Sequence, residues 1–77
     1  MNNLEYEYIE FGEIPSEGKT KKFICTNKKS DDILGKVRWY PSWRQYCFFP
    51  AENIVFSKGC LNDITDFLEK IKKLRNL

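Results

Sequence analysis

With 77 residues, a formal net charge of +2 and 42% hydrophobic residues, the chain can form one small domain but not a second core. It has no histidine and no apolar run of about 18 residues, which argues against histidine-based chemistry and against a membrane-spanning helix. The first ten residues lack the basic start and apolar stretch of a signal peptide. We therefore expect a single soluble domain over residues 1–77, located in the cytoplasm.

Four segments of the first two-thirds of the chain have the composition and period of strands. Residues 4–12 alternate apolar and acidic side chains, with a slip at Ile9 that predicts a bulge or bend. A breaker stretch at 14–18 follows. Further strands are predicted over residues 20–27, 33–40 and 44–49, with a short fifth strand over residues 54–56.

The last twenty residues change to a helical period. Their apolar positions, at spacings of three and four, predict one buried stripe made of Leu61, Ile64, Phe67, Leu68, Ile71 and Leu74. The predicted helix covers residues 59–75, with Ser57 or Asn62 as its N-cap. The whole pattern predicts an α+β fold, an antiparallel meander of about four strands with one face packed on a C-terminal α-helix.

The stretch WYPSWRQYCFFP, residues 39–50, predicts a hairpin between the third and fourth strands. Pro41 suits the second position of a turn over residues 40–43, and a tight turn places Trp39 opposite Arg44. One face then carries Val37, Trp39, Tyr46 and Phe48, and the other carries Lys36, Arg38, Tyr40, Trp43, Gln45, Cys47 and Phe49. We expect a core made of Trp39, Val37, Phe48, Leu61, Ile64 and Leu68.

Charge is distributed unevenly along the chain. Residues 1–18 contain five glutamates and no base, whereas residues 19–50 contain eight bases and two aspartates. In one interpretation the acidic first strand lies beside the basic middle and neutralises it within the fold. In the other, a basic sheet face is offered to an acidic partner.

The spacing of the cysteines and the absence of catalytic motifs argue against a metal site and against catalysis. Cys25, Cys47 and Cys60 are 22 and 13 residues apart and have no histidine to join them, so we expect neither a disulfide framework nor a metal site, and no cofactor. The sequence has no closely paired carboxylates on one predicted element and no glycine-rich phosphate loop. We therefore expect a protein that is not an enzyme.

The order LG.V.WY..WR.YCFFP, then N.VF, then CL.DI..FL, runs from Leu34 to Leu68. This pattern resembles a group of small uncharacterised proteins from bacteriophages and other bacterial mobile elements. The resemblance implies an accessory protein that acts in a bacterial host cell by engaging or inhibiting a host component, for example one of its defence proteins.

The function predicted from the sequence is therefore binding without catalysis. Arginine and aromatic residues near one rigid turn are the types enriched at interaction hot spots, so the predicted partner surface is Lys36, Arg38, Tyr40, Trp43 and Arg44. A host protein is the expected partner, and no membrane is expected.

Two alternatives to a host protein follow from the same residues. One is nucleic-acid binding, because a sheet followed by a helix is similar to the arm-type DNA-binding domains of phage integrases. The other is capture of a small anionic ligand such as a nucleotide. A sequence pI of about 8.4 lies below the value of about 9 that is typical of nucleic-acid-binding domains, which favours the host protein.

Overall fold

The structure, a computed structural model, describes residues 5–16 and 18–75, with the backbone alone for residues 74 and 75. It confirms the α+β fold. Four antiparallel strands form one sheet in chain order, followed by one helix. The elements are β1 (Ile9–Ile14), β2 (Lys22–Asn27), β3 (Ile33–Tyr40), β4 (Gln45–Pro50) and α1 (Lys58–Arg75).

The first strand begins later than residue 4, at Ile9, where the alternation slips. Ile9 is fully buried, whereas Tyr8 is 58% exposed, so the burial of an aliphatic side chain sets the start of the strand. The preceding residues fold back, with a bridge between Glu5 and Glu10 and the Tyr6 N–H donating to the Ile9 carbonyl at 2.8 Å. Leu4, the predicted first residue, lies outside the described residues, as does Glu17 of the breaker stretch.

An irregularity between β2 and β3 brings one more side chain into the core. Cys25 pairs with Gly35 and Thr26 pairs with Ile33, which leaves Leu34 as the extra residue of a bulge. Strict alternation would put Leu34 on the same face as Lys36. The bulge instead buries Leu34 and leaves Ile33 half exposed.

The β3–β4 hairpin has the predicted faces but a different register. The Trp43 N–H donates to the Tyr40 carbonyl at 3.2 Å, which confirms the turn, but a second turn follows it, ending at Arg44 with a φ of 54°. The loop is therefore longer than predicted, and Trp39 pairs with Tyr46, not with Arg44. A slip of two positions leaves every side chain on its predicted face, because side chains along a strand alternate with a period of two.

The segment between β4 and α1 contains no strand at residues 54–56. Ile54 and Phe56 pack against the core while Val55 is 94% exposed, so the segment has the burial pattern of a strand. The turn after Pro50, with Asn53 at a φ of 59°, leads the chain away from β4 and from a pairing partner. Helix α1 then begins at its predicted cap, since the Ser57 hydroxyl accepts from the Cys60 N–H at 3.2 Å.

The core lies between α1 and one face of the sheet. Phe67 is 1% exposed, stacks on Phe11 with ring centroids 3.9 Å apart, and meets Phe23 edge-on at 5.0 Å. The other buried residues are Ile9, Cys25, Leu34, Val37, Ile64 and Ile71. Among the described residues, no helix is long and apolar enough to cross a membrane.

Two residues of the predicted core lie elsewhere. Leu61 is 52% exposed, and Cys60 packs against the core in its place. Trp39 is only half-buried, at the rim of the sheet, where it meets Tyr46 edge-on at 5.4 Å. Leu74 of the predicted stripe has a side chain outside the described part of the chain.

Candidate functional site

The sheet face opposite α1 carries a group of aromatic and basic side chains. The β3–β4 pairing places Lys36 opposite Phe49, Arg38 opposite Cys47 and Tyr40 opposite Gln45. These six side chains therefore lie on the same face of the sheet. We name Lys36, Arg38, Tyr40, Trp43 and Phe49 the open-face cluster.

The rings of the open-face cluster hold one another in place. The Arg38 guanidinium lies 3.9 Å from the centroid of the Phe49 ring, a cation–π contact. Tyr40 meets Phe49 at 5.8 Å and Trp43 at 5.0 Å, both edge-on. Trp43 is 67% exposed at the end of this series. Four side chains therefore form one continuous surface from β4 to the hairpin turn.

Four of the five residues predicted from the sequence belong to this cluster, and Arg44 does not. Arg44 lines a cleft of about 250 Å³ between the hairpin and α1, together with Trp39, Tyr46 and Leu68. Its positive φ ends the turn and points the chain into β4. The structure thus separates two neighbours in sequence, Trp43 and Arg44, onto different sides of the hairpin.

The open-face cluster includes Phe49, which the predicted partner surface omitted. Alternation along β4 already placed Phe49 on the same face as Lys36 and Arg38. Its direct contact with Arg38 depends on the register of the hairpin, and the register depends on the length of the turn.

The glutamates of the N-terminal region pair with lysines that lie outside the open-face cluster. β1 does lie beside β2, and Glu13 pairs with Lys21 at 3.7 Å while Glu5 pairs with Lys28 at 3.6 Å. No ion pair within the described residues involves Lys36, Arg38 or Arg44. β2 separates β1 from β3, so the glutamates of β1 do not lie on the strand next to Lys36 and Arg38.

A basic hollow adjoins the cluster at the end of the sheet where β2 begins. The last pair of the β2–β3 ladder is Lys22 with Arg38, while β3 continues to Tyr40. The open space of about 600 Å³ beyond that pair is lined by Lys21, Lys22, Arg38 and Trp39, among others. Like charges directly opposite each other disfavour the sheet, and an anion placed between them would relieve that repulsion.

Three groups with shifted pKa values, Tyr6, Cys25 and Asp66, lie on the helix side of the sheet. Burial raises the pKa of the Cys25 thiol to about 12, with a further contribution from nearby Cys60, so this thiol stays protonated. Burial and a 2.8 Å hydrogen bond donated to Asp66 raise the pKa of Tyr6 above its usual value, and the same bond lowers the pKa of Asp66. Neither site touches the open-face cluster.

Over 76 residues the chain is 33% identical to an uncharacterised 9.3 kDa protein of Acholeplasma phage L2, and the alignment covers 97% of each protein. The chain belongs to the family of this phage protein. No family model and no solved structure matches the chain. The name of the phage relative states no activity. A functional proposal for this chain therefore rests on the chemistry of the open-face cluster.

Proposed function

We propose that this phage-family protein is a non-catalytic accessory factor that acts in the bacterial cytoplasm and engages or inhibits a host protein, such as a defence component. The observation that carries the proposal is the continuous Arg38–Phe49–Tyr40–Trp43 surface on a sheet face that no described element covers. A domain of this size needs most of its aromatic rings in its core. Rings kept together on the open face are therefore best accounted for by a partner.

The cluster is built to bind with a small loss of conformational entropy. Each ring is already held by its neighbour, and Trp43 lies in a turn closed by two backbone hydrogen bonds. Side chains that are ordered before docking lose little freedom in the complex, so more of their contact energy contributes to affinity. Arginine and tryptophan also contribute disproportionately to binding at interface centres.

The charge of the cluster supports an acidic protein surface as the partner. Lys36 and Arg38 have no ion pair among the described residues, so a carboxylate of a partner can approach them without displacing an existing one. The net charge of +2 is small, and Glu10 of β1 lies on the same face. A surface that combines rings with two or three bases is suited to an interface with an apolar centre and an acidic rim.

The test is capture of host proteins by the immobilised protein from bacterial lysate, with and without nuclease. The double variant Arg38→Ala/Trp43→Ala removes a base and a ring from the cluster. The control Leu61→Ala/Lys72→Ala removes a base and an apolar side chain from exposed positions of α1. We expect one host protein to be captured by the parent and the control, in the presence of nuclease, and to be lost with the cluster variant.

Binding of the captured host protein is then measured with purified components. The cluster variant should weaken binding by about 1–2 kcal/mol or more, while Arg44→Ala alone should change it little because Arg44 lies in the cleft. Circular dichroism and thermal melts establish that each variant is folded. A folded cluster variant with unchanged affinity would show that the open face is not the binding site.

Nucleic-acid binding is the second candidate, and it is supported by the arrangement of bases on two neighbouring strands. Lys22 lies directly opposite Arg38, and Lys36 lies on the same face of β3, beside the exposed rings. The phosphates of the nucleic acid would pair with these basic side chains. Its unpaired nucleobases would stack on the aromatic rings. Binding of duplex and single-stranded oligonucleotides should then fall steeply between low and physiological salt, whereas a protein interface should change much less.

A further inference from the structure

The outer edge of β4 has backbone groups that turn away from the sheet. The Ala51 N–H donates to the Leu34 carbonyl at 2.9 Å, and this bond sets the alternation of ladder bonds between β3 and β4. Counted along the register from that pair, Tyr46 and Phe48 are the residues whose N–H and C=O groups point away from β3. β4 is the last strand of the sheet, and no hydrogen bond within the described residues uses these four groups.

The opposite edge of the sheet is protected in two ways that β4 lacks in the described part of the chain. β1 carries the charged Glu10 and Glu13, and the preceding residues fold back onto it through the Glu5–Glu10 bridge. β4 reads QYCFFP and has no charged residue. Natural sheets protect their free edges with charge, short length or a covering segment, so an uncharged strand of six residues at an edge is a ready template for another strand.

The outward groups of β4 are complementary to themselves. If two copies of β4 run antiparallel about a twofold axis at Cys47, Tyr46 of each copy faces Phe48 of the other. Each such pair exchanges two N–H···O=C bonds, which gives four bonds across the axis. Pro50, which has no N–H, lies outside the four-bond set. The pairing therefore satisfies all four outward groups of Tyr46 and Phe48 in each copy.

Charge and side-chain size also permit this pairing. The facing side chains are Cys47 with Cys47 and Gln45 with Phe49, none of them charged, so no like charges meet at the axis. On the open face, Arg38 of one copy and Arg38 of the other are separated by three strand spacings, or about 14 Å. That distance exceeds the Debye length of about 8 Å at physiological salt, so their repulsion is largely screened.

We propose that a second copy of the chain pairs with β4 in this register, so that two sheets join into one continuous eight-stranded sheet. Closed twofold dimers are the commonest assembly of soluble proteins, and an edge that matches itself leads to this closed form. The pairing uses backbone groups of the edge and so does not depend on the proposed function. It would place two open-face clusters side by side on one face of the dimer and both helices on the other.

The first test is the molar mass of the full chain in solution, measured by light scattering and by sedimentation over a range of concentrations. Cys47→Glu sets two carboxylates against each other at the axis while giving Arg38 of the same chain an acidic neighbour. Ile24→Glu is the matched control, because it puts the same charge on the same face opposite a base, Lys36, but on an interior strand. We expect a dimer whose dissociation constant rises at least about tenfold in Cys47→Glu and stays unchanged in Ile24→Glu.

The second test uses the thiols as reporters of the register. A non-hydrogen-bonded pair has Cα atoms about 4.5 Å apart, within the range of a disulfide. Copper phenanthroline with dioxygen as the oxidant should join two parent chains through Cys47. The crosslink should be lost in Cys47→Ser and kept in Cys60→Ser, which removes a thiol that packs against the core.

Two results would overturn the proposed dimer. A parent chain that stays monomeric at high micromolar concentration has no self-pairing edge, and a dimer that Cys47→Glu leaves intact uses another surface. Hydrogen exchange identifies a different occupant: if the Tyr46 and Phe48 amides become protected only when a host protein is added, the edge pairs with a foreign strand.

Discussion

Aromatic rings occupy both faces of the sheet, in opposite surroundings. On the helix side, Phe11 and Phe67 stack at 3.9 Å and are less than 5% exposed. On the open side, Tyr40 and Trp43 meet edge-on at 5.0 Å, with Trp43 67% exposed and Arg38 nearby on the same face. Aromatic side chains therefore stabilise the fold where α1 covers them and are more exposed where no described element does. The predictions below separate the two roles.

The largest effect is expected on the helix side, at Phe67. Replacing Phe67 with alanine removes a ring that contacts both Phe11 and Phe23, and should lower the free energy of unfolding by about 3–5 kcal/mol. Leu61→Ala on the same helix is the control, with a change within about 0.5 kcal/mol because Leu61 is half exposed. Urea or thermal unfolding measures both. Equal effects of the two substitutions would contradict the assignment of the core.

A smaller effect is expected at Trp39, on the rim between the faces. From the sequence, with Trp39 as a core residue, a loss of about 3–5 kcal/mol would follow from Trp39→Ala. The half-buried position leads us to expect about 1–2 kcal/mol, since part of the ring is already in water. Chemical unfolding of the variant decides between the two values, and a loss near that of Phe67→Ala would place Trp39 in the core.

The Tyr6–Asp66 hydrogen bond should make a small, pH-dependent contribution to stability. The folded protein lowers the pKa of Asp66, mainly through the bond from Tyr6 and then through Lys70. A lowered pKa stabilises the fold above the ordinary aspartate value of 3.8, and this stabilisation is lost as pH falls through the folded value. The difference in melting temperature between the parent and Tyr6→Phe should therefore shrink below that pH. A difference that is constant down to acid pH would show that the bond to ionised Asp66 is not its source.

The reactivity of the thiols compares the two faces of the sheet in the folded protein, without a substitution. Cys25 lies on the helix side and is fully buried, and its pKa is raised to about 12, whereas Cys47 lies half-buried on the open side. The thiolate is the reactive form. Iodoacetamide at mildly alkaline pH should therefore modify Cys47 well before Cys25, as followed by mass spectrometry of the folded protein. Equal rates would mean that the two faces are equally open.

Period and capping made much of this fold predictable. The helical spacing of Ile64, Phe67 and Ile71 and the hydroxyl of Ser57 act within one or two turns of chain, so they can be recognised without tertiary information. The division of the hairpin into two faces was also predictable. Side chains alternate between the faces with a period of two, so a shift of the strand pairing by two residues leaves each side chain on the same face. Four of the five predicted site residues accordingly lie together.

What the sequence by itself determined is the identity of the elements, their order and the face to which most side chains belong, because these depend on local period and propensity. Only the tertiary structure decided the register of the hairpin, the bulge that buries Leu34, the separation of Arg44 from Trp43 and the absence of a strand at residues 54–56. Each of these depends on a backbone conformation, such as the positive φ of Arg44 or Asn53, or on whether a distant segment offers hydrogen bonds. Such non-local choices are decided by the packing of the whole chain, which no short stretch of residues encodes.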